Sequence, residues 1–206
     1  MGVLYASTHP ADDLYVDALA GYGALRFELS RFIADTGALA AGSRTGRQVF
    51  GSTTVGYEWR GQDWLVSPYV RLDLARATLD RYTESGGAGA LTYFSQSLRN
   101  DAAYLGMRAQ FDVTLPVGLL TPQARMAYQR NLQGTGTATM SYADSALSSP
   151  VYRYSDATQE SRQWLLTLGG RLLLKNGLAL MLLYSHNAAN AMTTSQSLNF
   201  QVSGRF

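Results

Sequence analysis

Few residues of this chain have the types and spacing that catalysis requires. Its only histidines are His9 and His186. His186 follows Ser185, and a Ser–His pair would suit nucleophilic catalysis if an Asp converged on the same imidazole. His9, however, lies in Thr8-His-Pro-Ala-Asp-Asp13, which reads as a turn at one end of the molecule, and His186 falls near the end of a strand at the other. The two sit at opposite rims and share no site, so a loop or interfacial histidine is the better account of His186. Asp12-Asp13 has the composition of a carboxylate pair, but adjacent Asp residues beside a strand start are more commonly turn formers. No Gly-rich phosphate loop follows a strand and opens a helix, and no Asp-rich calcium pattern is present. The absence of Cys removes disulfides, thiolate metal sites and a cysteine nucleophile. No catalytic, cofactor-binding or metal-binding residue is therefore expected.

What remains is a set of charges of both signs: Glu58, Arg71, Asp73, Arg108, Asp112, Arg125 and Arg171. They matter because of the elements that carry them. From Arg162 to Lys175 the even positions read Trp164, Leu166, Leu168, Gly170, Leu172, Leu174, and the odd ones include Gln163, Thr167, Gly169 and Arg171. A period of two with one wholly apolar face is a strand, not a helix. Asn176-Gly177, a tight-hairpin dipeptide, separates it from Leu178, Leu180, Leu182 and Tyr184, which alternate with Ala179, Met181, Leu183 and Ser185. Leu105 to Leu115, Ala124 to Tyr128, Val66 to Leu74 and Val55 to Trp59 repeat the pattern, and in each the seven charges fall on the phase opposite the apolar one. Around Gly21-Tyr22-Gly23 the alternation slips, which predicts a bulge.

Eight strands are predicted, at 14–31, 48–60, 64–82, 98–116, 119–132, 160–175, 177–188 and 195–206. Gly61-Gln62-Asp63, Pro116-Val117-Gly118 and Asn176-Gly177 make short turns, whereas 32–47, 83–97, 133–159 and 189–194 read as longer loops. Short turns at one end and long loops at the other describe an antiparallel up-and-down transmembrane β-barrel, apolar outward and polar inward. Composition agrees. Of 206 residues 46% are hydrophobic and only 16% charged, below the ~25% of soluble domains. A soluble barrel or sandwich would carry Lys and Glu on its outer face, but only Lys175 is Lys, and Asn176 to Gly204 lacks Asp, Glu, Lys and Arg altogether. The sixteen arginines suit fixed bidentate pairing better than a loose cationic surface, so nucleic acid is not an expected partner. The longest apolar run, Leu178 to Tyr184, is far below the ~20 residues of a spanning helix. The N-terminus lacks the basic and apolar regions of a signal peptide, so any such signal is expected upstream. Trp59 and Trp64 flank one short turn and Trp164 lies near the opposite end of its strand, as in two interfacial girdles, and Tyr184 is expected to be interfacial as well.

Tyr15-Val-Asp-Ala-Leu-Ala-Gly-Tyr-Gly23, Val66-Ser-Pro-Tyr-Val-Arg-Leu-Asp73, Tyr82-Thr-Glu-Ser-Gly86, Leu119-Leu-Thr-Pro-Gln-Ala-Arg-Met-Ala-Tyr128, Lys175-Asn-Gly177 and Ser197-Leu-Asn-Phe-Gln-Val-Ser-Gly-Arg-Phe206 stand in an order and spacing that resembles the translocator domain of type V secretion autotransporters. The resemblance implies a barrel in the Gram-negative outer membrane, with membrane lipid, the barrel-assembly machinery and an exported N-terminal passenger polypeptide as partners. It implies that Phe206, preceded at alternate positions by Gly204, Val202, Phe200 and Leu198, is the assembly signal; an interfacial anchor would look the same. It also implies twelve strands and a helix threading the lumen. The eight strands present, with a stub at Gly2 to Ala6, are expected to form one partial domain over 1–206, an incomplete or open barrel without the lumen helix. The alternative is a complete small eight-stranded outer-membrane protein acting as an anchor or adhesin. The inward charges would pair across strands to hold the wall in register, or line a hydrated path for a polypeptide.

Overall fold

The computed structural model describes residues 1–132, 136–143, 150–156, 162–189 and 194–204. In chain order its strands are β1 (Gly2–Ala11), β2 (Leu14–Ile33), β3 (Ala38–Tyr57), β4 (Trp59–Arg60), β5 (Trp64–Leu79), β6 (Tyr82–Thr83), β7 (Leu91–Tyr93), β8 (Gln96–Phe111), β9 (Val113–Leu115), β10 (Gly118–Asn131), β11 (Gly136–Tyr142), β12 (Tyr152–Asp156), β13 (Arg162–Leu174), β14 (Ala179–Ala188) and β15 (Thr194–Ser203). The main sheet runs β1-β2-β3-β5-β8-β10-β13-β14-β15, each strand beside its sequence neighbours and antiparallel to them, with β4 on β5 and β9 on β10. Among the described residues β1 pairs only with β2 and β15 only with β14, so the sheet is an open half-barrel.

The predicted short turns are present. Gly61 N donates to Trp64 O, and Gly177 adopts φ +83°, a conformation that glycine reaches without strain, with its N–H on Leu174 O. Three expectations need correction. First, the stub at Gly2 to Ala6 is part of a full strand, paired from Gly2↔Tyr22 to Thr8↔Val16, so His9 lies within β1 and the turn is Asp12-Asp13. Second, β2 and β3 pair without interruption from Leu14↔Tyr57 to Ile33↔Ala38, so Gly21-Tyr22-Gly23 is not a bulge. Above Gly23 the apolar residues move to the inner phase, where Ile33 is buried while Phe27 and Leu29 stay exposed. Third, most of 32–47 is strand, and the long loops pair with one another: β12-β11-β7-β6 is a second, four-stranded sheet over the long-loop end.

β1 shifts register between Thr8 and Ala11, but from β2 to β15 register gives the long strands of the main sheet a constant inner and outer face. Tyr15, Gly56, Tyr69, Gly106, Ala127 and Leu165 stand in one row across β2, β3, β5, β8, β10 and β13, and their side chains share the inner side. That side holds the packing: Tyr15, Tyr69 and Ala127 are buried and Leu165 packs on them. The other face leaves Leu105 64%, Leu198 69% and Phe200 67% exposed. Apolar outside and packed polar inside is the reverse of a soluble sheet.

Candidate functional site

The inner wall is built from tyrosines, glycines and arginines. The Tyr15 ring lies over Gly56 on the next strand, and the Tyr69 ring over Gly106. A Cβ on Gly106 would stand 2.5 Å from the Tyr69 hydroxyl and closer still to the ring carbon that bears it, so glycine is required for the rings to lie flat. Guanidiniums then cover the rings: Arg108 is 5.0 Å from the Tyr15 centroid, Arg125 4.8 Å from Tyr69 and Arg71 5.1 Å from Tyr104. Arg125 Nε also donates to the Tyr69 hydroxyl at 2.7 Å.

All seven sequence-predicted charges lie on this face. Glu58, in the break between β3 and β4, is 3% exposed and gives one carboxylate oxygen to Arg60 and the other to Arg108, with His9 Nε2 at 4.0 Å. Two cations per buried carboxylate make the desolvation of Glu58 tolerable. Arg71 forks onto Asp73 at 2.7 and 2.6 Å, and Ser52 Oγ donates to the same carboxylate at 2.6 Å. Asp112 accepts from Thr121 at 2.6 Å. Arg171 stands opposite Thr121 and Met181, exposed and without an ion pair among the described residues. Arg108 and Arg125 are directly opposed across β8 and β10, and Glu58 serves only the first. Between these groups runs a groove of about 540 Å³ beside Asp17, Arg71 and Asp73, and one of about 380 Å³ beside Arg125 and Thr167.

The aromatic and terminal positions fall on the outer face. Trp59 and Trp64 are half-exposed at the short turn; Trp164 packs on Tyr128 at 5.1 Å near the other end, and Tyr184 pairs with Leu168 and Leu198. Leu198, Phe200 and Val202 project outward along β15 and Gly204 follows it; Phe206 lies outside the described residues. His9 and His186 are far apart in the sheet, on β1 and β14, and form no triad with Ser185, which faces Thr167 on the inner side. Among the described residues no cluster of metal-ligand type occurs. Sequence reasoning missed Tyr15, Tyr69 and Tyr104, whose inward phase beside glycines was the available signal.

A second polar cluster fastens the small sheet. Arg31 Nη2 donates to Glu84 at 2.7 Å and to Gly89 O at 2.9 Å; Glu84 also accepts from Leu91 N. The Glu84 carboxylate holds the Arg31 guanidinium above its ordinary pKa, whereas burial lowers that of Arg44, which donates to Asp80 O and Phe94 O. Tyr82 stacks on Tyr93 at 4.9 Å, and burial, reinforced by Tyr93 and Glu84, pushes its pKa up to about 12.

An open, antiparallel meander with an apolar outer face and a charged, aromatic-braced inner face is the wall of a transmembrane-type β-barrel. The family described as Autotransporter beta-domain matches residues 1–185, and the chain belongs to that family. Its fold is similar to the translocator domain of autotransporter NalP from Neisseria meningitidis, with TM-score 0.64 and 20% identity over 99% of this chain and 65% of that one. The chain thus spans just under two thirds of that solved domain. The β domain of the Bordetella autotransporter BrkA aligns over 92% of this chain and 89% of that one at 16% identity, with a TM-score of 0.30 that carries no structural weight. No curated protein matches.

Proposed function

We propose that this chain forms part of the wall of an outer-membrane translocator, anchoring a passenger polypeptide in the membrane and assisting its export, with no chemistry of its own. The observation that carries this reading is the division of the two faces. Glu58, Arg71, Asp73, Arg108 and Arg125 sit inward in a paired network, while the outer face is apolar from the short turns upward. Such a wall presents water and fixed charges to a polypeptide and hydrocarbon contacts to lipid. Membership of the autotransporter β-domain family and the NalP-like fold support it. Assembly by the barrel-assembly machinery, guided by Leu198, Phe200, Val202, Gly204 and Phe206, belongs to the same proposal.

The test is a chimeric translocator in which the matched region of a solved autotransporter barrel is replaced by residues 1–206. Display of the passenger on intact Gram-negative cells is the expected result. A chimera that inserts in the outer membrane but retains its passenger in the periplasm would contradict the translocator reading and leave only an anchor.

A further inference from the structure

On the outer face, six strands carry an arginine at the upper limit of the apolar band: Arg26 on β2, Arg47 on β3, Arg76 on β5, Arg99 on β8, Arg130 on β10 and Arg162 on β13. Each is exposed. Their phase follows from the register, since Ala24 pairs with Arg47, Val49 with Arg76, Arg76 with Arg99 and Arg130 with Arg162. From β2 to β13 the arginine stays level or steps toward the short-turn end, never the other way, which is how tilted strands bring residues to one height. Between the six and the short turns the outer phase of the described residues holds a single charge, Asp101, buried beside Arg99.

Among the described residues few carboxylates reach the belt, and most of its arginines form no ion pair. Arg26 pairs with Glu28 at 3.0 Å, and Asp80 accepts from Thr45, but Arg47, Arg76, Arg99, Arg130 and Arg162 make no ion pair among the described residues. Two of the cross-strand pairs, Arg76↔Arg99 and Arg130↔Arg162, set like charges directly opposite each other, which destabilises a sheet unless an anion sits between them. Guanidiniums bind phosphate oxygens in bidentate fashion, and the belt begins where the lipid-facing surface ends. We propose that it binds the phosphate groups of anionic lipid headgroups in the leaflet at the long-loop end. This rests on the reading that the outer face meets lipid.

The experiment refolds the chain into phosphatidylcholine vesicles and measures two things separately. Quenching of Trp59, Trp64 and Trp164 by brominated phosphatidylcholine reports insertion. Spin-labelled phosphatidic acid against spin-labelled phosphatidylcholine reports which lipid is immobilised at the protein surface. The wild type should prefer phosphatidic acid by roughly fivefold or more, since one basic residue near an anionic surface contributes about that factor. The R76Q/R99Q/R130Q/R162Q variant should insert equally and show a preference near one; if it does not insert, R76Q/R99Q alone should lower the preference. Lys175→Gln, at the opposite rim, should leave it unchanged. An inserted wild type without preference, or a quadruple variant that keeps it, would overturn the proposal. Loss of the wild-type preference in millimolar inorganic phosphate would overturn it in favour of a free-anion site. A wild type that does not insert would overturn the membrane reading and the proposal with it.

Discussion

Gly106→Ala should destabilise the chain although alanine is the better strand residue. The new Cβ would meet the Tyr69 hydroxyl at 2.5 Å and the ring carbon bearing it closer still, and Tyr69 is 4% exposed, so the ring has no room to yield without repacking. Overpacking of this kind costs about 1–3 kcal/mol. Displacing the ring also breaks the 2.7 Å bond from Arg125, a hydrogen bond from a charged donor worth about 1.5–3 kcal/mol. Against this stands a gain of about 0.5–1 kcal/mol for replacing glycine inside a strand. The net expectation is a loss of about 2–4 kcal/mol, combining these terms. The control is Gly170→Ala on β13, where the nearest atom to a new Cβ is Thr121 O at 3.5 Å, so only the gain remains. Equilibrium guanidinium unfolding in detergent micelles, followed by tryptophan fluorescence, measures both. Equal effects at the two glycines would refute the argument that aromatic rings bracing glycines set the inner wall.

Leu168→Arg on the outer face should cost about 2–4 kcal/mol in bilayers and Thr167→Arg on the inner face much less, as measured by unfolding from vesicles. Glu58→Gln removes the charge that Arg60 and Arg108 share; both guanidiniums keep partial access to water, so the loss should be about 1–3 kcal/mol in the same assay. Tyr82 is neutral in the folded protein to about pH 12 but ionises near 10 when unfolded. Its contribution to the small sheet is therefore complete below about pH 10 and should fade as pH rises toward about 12, seen as hydrogen exchange in β6 and β7; Tyr82→Phe should remove that dependence.

The faces of the strands from Val66 to Val202 were legible because an apolar outer face and a polar inner face impose strict alternation over many residues, and a slip of one would turn every inward charge outward. The ends were less legible. Ala38 to Arg47 is Ala, Gly, Ser, Thr and Arg apart from Leu39, with little alternation, so nothing local marks it as strand; it pairs because β2 lies beside its whole length, with β5 joining only from Gly46. The sheet of β6, β7, β11 and β12 rests on contacts between loops some fifty residues apart, such as Met140↔Tyr93, which no local period encodes. The ion pairs of Arg71 and Asp73, two residues apart on one face, follow from spacing alone. That Arg108 reaches Glu58 requires the register across β5, which a single strand does not contain.

The central claim is that the even positions of β13 meet lipid and the odd positions meet water. Because the chain has no Cys, single cysteines at Leu166, Thr167, Leu168, Gly170, Arg171 and Leu172 can be spin-labelled one at a time without background. In vesicles, accessibility to a water-soluble nickel chelate should be high at 167 and 171 and low at 166, 168, 170 and 172, with dissolved oxygen giving the opposite pattern. Accessibility that does not alternate, or alternates in the reverse phase, would contradict the account.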